Sequence, residues 1–145
     1  VDFEQGSEED LDNLWAINVK APFWLIRAAL PYLKATGAGR VFNIASTDAK
    51  RFRPGTSVGY SMTKHALLAM TQAVRHAGWG EGVRATALCP GAIDTDLIAN
   101  LPGVTPKVDR LTPETVAEMV AFILALPNQA SVPEFIVNTR LETLI

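Results

Sequence analysis

The stretch Tyr60-Ser61-Met62-Thr63-Lys64 decides how this chain is interpreted. It opens a segment whose apolar residues recur with helical spacing, and the pattern predicts a helix from Tyr60 to Gly78. Side chains four residues apart lie on one face of a helix, so the phenol and the ammonium are expected to be neighbours. A phenol beside an ammonium can take part in proton transfer, because the cation favours the phenolate.

Two short β-rich runs flank this helix. Arg40–Ala45 suits a strand buried on both faces and delivers Ser46 and Thr47 to a polar loop. Val83–Cys89 predicts a second strand, which leads into Pro90-Gly91-Ala92-Ile93-Asp94-Thr95. That second loop is expected at the carboxyl edge of the sheet, where open α/β folds bind ligands.

The rest of the chain predicts further helices and one more strand. Ser7 is placed to cap a first helix, which Pro22 is expected to break or restart. Pro90–Leu111 contains too many Pro, Gly and Asp residues to be regular throughout, as in many substrate lids. Thr112-Pro113-Glu114 is a strong helix start, and Glu134–Asn138 predicts a final strand. The order helix, strand, helix, strand, helix, strand predicts an α/β layer with a parallel sheet.

Composition indicates an ordinary globular domain. The 145 residues are 48% hydrophobic and 19% charged, with a net charge of −2, which argues against a nucleic-acid partner. The basic cluster Lys50-Arg51-Phe52-Arg53 is interpreted as a solvated loop. No apolar stretch is long enough for a membrane span. The single cysteine, Cys89, forms no internal disulfide and is expected in the core, which favours a reducing, cytoplasmic location.

No metal site is expected from the sequence. The acidic residues Asp48, Asp94 and Asp96 are scattered, and caps or solvated loops account for them. His65 and His76 form no constellation with them. The candidate chemistry therefore depends on the tyrosine, the lysine and the loops around them.

From about Asp10 to the C-terminus, these segments resemble the short-chain dehydrogenase/reductase family. The resemblance implies a Rossmann-like doubly wound parallel sheet, of which this chain has only the last three strands and their helices. It also implies an oxidoreductase that uses NAD or NADP to interconvert a small-molecule alcohol and a ketone or aldehyde. Tyr60 matches the family's acid/base. Lys64 matches the residue that lowers the tyrosine's pKa and holds the nicotinamide ribose.

Two further family positions have counterparts here. Asn43-Ile44-Ala45-Ser46 resembles the strand ending that carries the serine that hydrogen-bonds the substrate oxygen. Thr47, however, has the usual distance to the tyrosine, so an inserted loop residue and a threonine substitute both remain open; the strand motif favours Ser46. Asn18 corresponds to the asparagine that binds a water in a proton relay to Lys64.

The loop after the second strand also has a family role. By resemblance, the Ile93 backbone meets the nicotinamide carboxamide and the Thr95 hydroxyl adds a contact, while Pro90 and Gly91 form the turn and allow close approach. The family also pairs its two long helices across a two-fold axis. A homodimer or homotetramer is therefore expected.

One family element is absent from the sequence, the glycine-rich turn that cradles the pyrophosphate. Residues 1–145 are therefore interpreted as a partial single domain that lacks roughly 90 residues, about three βα units, and is inactive alone. The first strand is then expected to have an unpaired apolar edge. Two alternatives remain: an extended-family nucleotide-sugar epimerase or dehydratase, and a catalytically inactive α/β dimerisation module.

Overall fold

The computed structural model describes all residues from 1 to 145 as a three-stranded parallel sheet with helices packed against it. The main elements in chain order are α1 (Glu8–Trp15), α2 (Ala21–Thr36), β1 (Arg40–Ile44), α3 (Val58–Gly78), β2 (Arg84–Pro90), α4 (Pro113–Leu124) and β3 (Glu134–Val137). Both strand pairs are parallel, and each pair is connected through a helix. The α/β fold class expected from the order of elements is confirmed.

Hydroxyl side chains cap three of the helices. Ser7 accepts a hydrogen bond from a backbone N–H in the first turn of α1 at 3.0 Å, and Thr112 does the same for α4 at 3.2 Å. Both caps are where the sequence predicts them. α3 begins two residues earlier than predicted, because Ser57 accepts the N–H of Tyr60 at 3.1 Å and caps the helix.

A new helix starts at Pro22, as one of the two predicted outcomes has it: α2 begins at Ala21 with this proline in its first turn. Ala16–Lys20 forms a π-helical turn, and the backbone remains right-handed helical from there into α2. A π turn shifts the hydrogen-bond register by one residue, which accommodates a proline in the first turn of the next helix. The helix therefore restarts without a break in the helical backbone, and the π turn carries Asn18.

The sheet has the order β1-β2-β3, so β2 is the central strand and every residue from 85 to 90 is buried. β1 lies at one edge, which confirms the expected unpaired edge. The prediction that this strand is buried on both faces is wrong for this chain. In β1 only Asn43 is buried, and Ile44 is 43% exposed, because no strand covers the outer side.

The core lies where α3 packs against β1 and β2. Small residues dominate the cluster nearest the carboxyl ends of the strands: Ala45, Ala49, Leu67, Ala87 and Cys89. A second cluster, near the starts of the strands, also receives side chains from α2. Small side chains let α3 approach the sheet closely at its first turns. None of the helices combines the length and apolar character that a membrane span needs.

Candidate active site

The first turns of α3 hold Tyr60 and Lys64 beside the carboxyl end of β1. Lys64 Nζ donates a hydrogen bond to the Ile44 carbonyl at 2.9 Å and lies 5.5 Å from the centroid of the Tyr60 ring. Deeper in the core, Asn43 Nδ2 donates to Thr71 Oγ1 at 2.9 Å. These two contacts fix α3 against β1 at separate points, so the tyrosine and the lysine have a defined place at the sheet edge.

The loop after β1 brings Ser46, rather than Thr47, to the phenol. The buried Ser46 side chain lies close enough to the phenol to lower its pKa, and its Oγ accepts the N–H of Asp48 at 3.0 Å. The Thr47 hydroxyl accepts from Arg51 at 3.4 Å instead. Of the two candidates left open by the sequence, Ser46 is the one close to the phenol.

The electrostatic environment opposes ionisation of both side chains of the pair. Burial raises the pKa of Tyr60, the Ser46 side chain lowers it in part, and the charge of Asp48 raises it further. Burial lowers the pKa of Lys64, and Cys89 opposes that shift. The expected lowering of the Tyr60 pKa by the lysine is wrong in this structure. Burial of the phenol is the largest cause of the shift, while the ammonium lies over the ring and is hydrogen-bonded to the Ile44 carbonyl.

Asn18 contacts the turn of α3 that bears the tyrosine. Its Nδ2 donates to Thr63 Oγ1 at 3.1 Å, and Thr63 Oγ1 donates to the Tyr60 carbonyl at 2.8 Å. Thr63 is fully buried. The structure therefore brings Asn18 to Thr63 and not into a hydrogen bond with Lys64. Sequence reasoning missed Thr63, although a hydroxyl inside the Tyr-x-x-x-Lys segment was the available signal.

The turn after β2 is packed against the end of the chain. Pro90 is buried, and the N–H of Gly91 donates to the Val137 carbonyl at 2.8 Å. A Cβ at Gly91 would lie 2.7 Å from Thr139 Oγ1. Glycine is needed here because residue 139 approaches so closely, which is a different reason from the close approach of a ligand.

Ile93 and Thr95 lie beyond this turn with free polar groups. Ala92 and Asp94 bond the backbone of Leu111 at 2.9 and 2.8 Å. The N–H and C=O of Ile93 make no hydrogen bond within the chain, and the exposed Thr95 hydroxyl makes none either. A carboxamide offers one acceptor and one donor group, so the free Ile93 backbone has the matching pair.

The base of the long loop that follows is closed by an ion pair. Arg110 Nη1 lies 3.3 Å from Asp94 Oδ1, and Arg110 Nε donates to the Thr105 carbonyl at 2.9 Å. The segment is mostly irregular, as predicted, with two short 3₁₀ turns. Sequence reasoning treated Asp94 as a cap or a solvated residue and missed its partner.

The basic cluster after β1 is not a solvated loop, so that prediction is wrong. Lys50 Nζ lies 2.7 Å from Glu134 Oε2. The Arg51 side chain is 6% exposed and is paired with both Asp48 and Glu142. Arg51 holds the pKa of Glu142 at about 2. The partners of these basic residues lie up to 91 positions away in the sequence, and no local pattern could have indicated them.

Comparison with known proteins identifies the family of this chain. The family model described as short chain dehydrogenase matches residues 1–103. The chain belongs to the short-chain dehydrogenase family. An agropine synthesis reductase of Rhizobium rhizogenes is 40% identical over 131 residues, which cover 87% of this chain and 30% of that protein. A 2-(R)-hydroxypropyl-CoM dehydrogenase of Xanthobacter autotrophicus is 39% identical over 89 residues, 61% of this chain and 35% of that protein.

Solved structures of the family share the fold. An alcohol dehydrogenase from the archaeon Thermococcus sibiricus, complexed with 5-hydroxy-NADP, has a TM-score of 0.85 and 31% identity. That match covers 98% of this chain and 60% of the other. A serine dehydrogenase from Escherichia coli has a TM-score of 0.75 and 27% identity, covering 92% of this chain and 55% of the other. This short-chain dehydrogenase therefore spans less than two thirds of the relatives it matches.

Proposed function

We propose that this chain supplies the proton-transfer half of an NAD(P)-dependent oxidoreductase that interconverts an alcohol and a ketone or aldehyde. The observation that carries the proposal is the partly buried Tyr60, which has Lys64 Nζ 5.5 Å from its ring centroid and Ser46 close enough to lower the pKa of its phenol. Tyr60 is the acid/base, Ser46 orients the substrate oxygen, and Lys64 provides the cationic neighbour. Asn18 supports the same helical turn through Thr63.

The raised pKa of Tyr60 favours one direction of proton transfer at neutral pH. A phenol that resists ionisation is protonated there, so it can give its proton to a carbonyl oxygen as the substrate is reduced. In the opposite direction the phenolate must take the proton of an alcohol. Alcohol oxidation is therefore expected to rise, and carbonyl reduction to fall, as the pH increases through the pKa of Tyr60.

The residues present fit the nicotinamide end of a dinucleotide cofactor. The free N–H and C=O of Ile93 match a carboxamide, with the Thr95 hydroxyl nearby and the Lys64 ammonium suited to a ribose hydroxyl. NAD(P) supplies the hydride acceptor or donor when it is bound. The Thermococcus sibiricus relative with 5-hydroxy-NADP supports this assignment.

The open edge of β1 supports the proposal that residues 1–145 form part of a larger single domain. β1 has no partner on its outer side, and unpaired strand edges favour pairing with another strand. The glycine-rich pyrophosphate turn would belong to the residues that add this strand. Activity is therefore proposed for the full-length protein and not for residues 1–145 alone.

Replacing Tyr60 by phenylalanine in the full-length protein tests the function. Loss of the hydroxyl should lower turnover about 10²- to 10⁴-fold, as measured by absorbance of the reduced nicotinamide with a panel of small alcohols and ketones. Tyr32→Phe is the matched control, because Tyr32 is the chain's other tyrosine and is 77% exposed. If turnover of Tyr60→Phe lies within threefold of wild type, Tyr60 is not the acid/base. A wild-type protein that binds neither NAD nor NADP would favour the inactive dimerisation module.

A further inference from the structure

Arg51 joins two distant parts of the chain near the proposed site. Its Nη2 and Nε bind the two carboxylate oxygens of Glu142 at 2.6 and 3.1 Å, a bidentate pair. Its Nη1 binds the carboxylate of Asp48. Every nitrogen of the guanidinium is therefore bonded, and the side chain is 6% exposed. Burial of a cation between two carboxylates fixes all three groups.

Asp48 is the link between Arg51 and the tyrosine. The Asp48 N–H donates to Ser46 Oγ at 3.0 Å, and its carbonyl accepts from Ser61 Oγ at 2.8 Å. Ser61 directly follows Tyr60 on α3. The position of Asp48 thus sets the orientation of the Ser46 hydroxyl, and its charge acts on the phenol.

We propose that Arg51 is a positioning residue, which ties the segment 138–145 to the loop of Ser46 through Glu142 and neutralises the Asp48 carboxylate beside Tyr60. This inference rests on the proposed function, since it assigns a task to a residue that supports the acid/base. Segment 138–145 also touches the loop after β2, which is proposed to bind the cofactor, because Thr139 packs on Gly91. Segment 138–145, the C-terminal strap, therefore joins both loops of the site.

The charged groups around the phenol come from several elements. The loop after β1 contributes Asp48 and Arg51, α3 contributes the Lys64 ammonium, and the end of β2 contributes the Cys89 thiol. Further charged groups near this end of the sheet include Lys50 with Glu134, Arg140 with Glu142, and Asp94 with Arg110. Among them, only the Asp48 charge acts to raise the pKa of Tyr60. Removing the Arg51 charge leaves that carboxylate without its cation.

The test measures alcohol oxidation against pH in the full-length protein. The rate of alcohol oxidation should rise with pH, and Arg51→Gln should move the midpoint of that rise up by roughly one pH unit. A shift of this size is the effect of one unpaired charge nearby. Arg51→Lys keeps the charge and should stay near the wild-type midpoint. In an Asp48→Asn background, Arg51→Gln should cause no further shift, because the carboxylate is already gone.

A purely structural role for Arg51 gives a different pattern. In that case turnover falls at every pH without a shift, or the shift is the same in both backgrounds, and the proposal is overturned. Tyr60→Phe, measured in parallel, separates a failure of the Arg51 proposal from a failure of the proposed function. If Tyr60→Phe shows the same rise of activity with pH as wild type, the proposed function itself has failed.

A second measurement needs no activity and covers the case in which Arg51→Gln does not fold. Glu142→Gln keeps Arg51 bonded to Asp48 but loses the charged pair with Arg51, so the strap should be released. Trypsin should then cut after Arg140 at least several-fold faster than in wild type. Equal cleavage of the two proteins would show that Glu142 does not hold the strap and would overturn that part of the proposal.

Discussion

At the scale of single residues, the chemistry depends on which hydroxyl faces the phenol. Ser46 and Thr47 are neighbours in the chain, yet backbone geometry sends them to different partners. Ser46 has an extended backbone and caps the 3₁₀ turn that follows, which directs its Oγ to the Asp48 N–H, while its side chain still influences the pKa of Tyr60. Thr47 is buried against Arg51.

This arrangement predicts unequal effects of removing the two hydroxyls. Ser46→Ala should lower turnover of the full-length protein about 10²-fold, because the substrate oxygen loses an oriented partner. Thr47→Val, which replaces a hydroxyl by a methyl group, should change turnover less than about threefold, because its bond to Arg51 is long. Steady-state kinetics of both variants tests which of the two hydroxyls orients the substrate oxygen. A larger loss in Thr47→Val would reverse the assignment.

The sequence could predict local residue pairs but not distant ones. The Tyr60 and Lys64 pair follows from helical spacing, and the structure has them as neighbours. The direction of the shift in the pKa of Tyr60 could not be predicted from the sequence, because it depends on burial and on the hydrogen bond from Lys64 to the Ile44 carbonyl. The prediction that Arg51 lies in a solvated loop was wrong, because its partner Glu142 is 91 positions away in the sequence.

At the scale of elements, capping and turn residues predicted where the helices and strands lie. Tertiary contacts changed some of their bounds and their burial. Thr112 starts α4 as predicted, and each strand boundary differs from the prediction by one residue at most. Pro22 lies in the first turn of a new helix, as predicted, but the π turn before it was not predicted. β1 is less buried than its apolar sequence suggests, because coverage depends on neighbours and not on the strand itself.

The turn between α3 and β2 offers a test at this scale. Gly82 has a φ of +80°, and a Cβ there would lie 1.9 Å from the Gly37 carbonyl oxygen. Gly82→Ala should therefore lower the free energy of unfolding by about 2 kcal/mol or more, since backbone must move. Gly80→Ala is the matched control: a Cβ at Gly80 meets no atom within 4 Å, and its effect should be within about 0.5 kcal/mol. Equal denaturant midpoints for the two variants would contradict this account of the turn.

At the scale of the whole molecule, one face of the chain is apolar and uncovered. α2 and α3 form a groove between them, and Phe23 and Trp24 beside it are about half exposed. The groove residues include Ile26, Leu30, Met70 and Ala73. Apolar surface of this kind is characteristic of a protein contact. The family resemblance assigns the contact to the same two helices of a second copy, related by a two-fold axis.

A charge placed in this groove should separate the copies. Ala73 is exposed in the single chain and lines the groove, so Ala73→Glu would bury an unpaired carboxylate in a symmetric contact, twice per pair. The full-length protein should then lose half its mass in sedimentation or light scattering, provided that wild type is a dimer or tetramer. Gln129→Glu is the control, because it adds the same charge at an exposed position in the connector before β3. An unchanged mass for Ala73→Glu would mean that another surface makes the contact, since a symmetric apolar interface cannot hold two unpaired charges without a large loss of affinity.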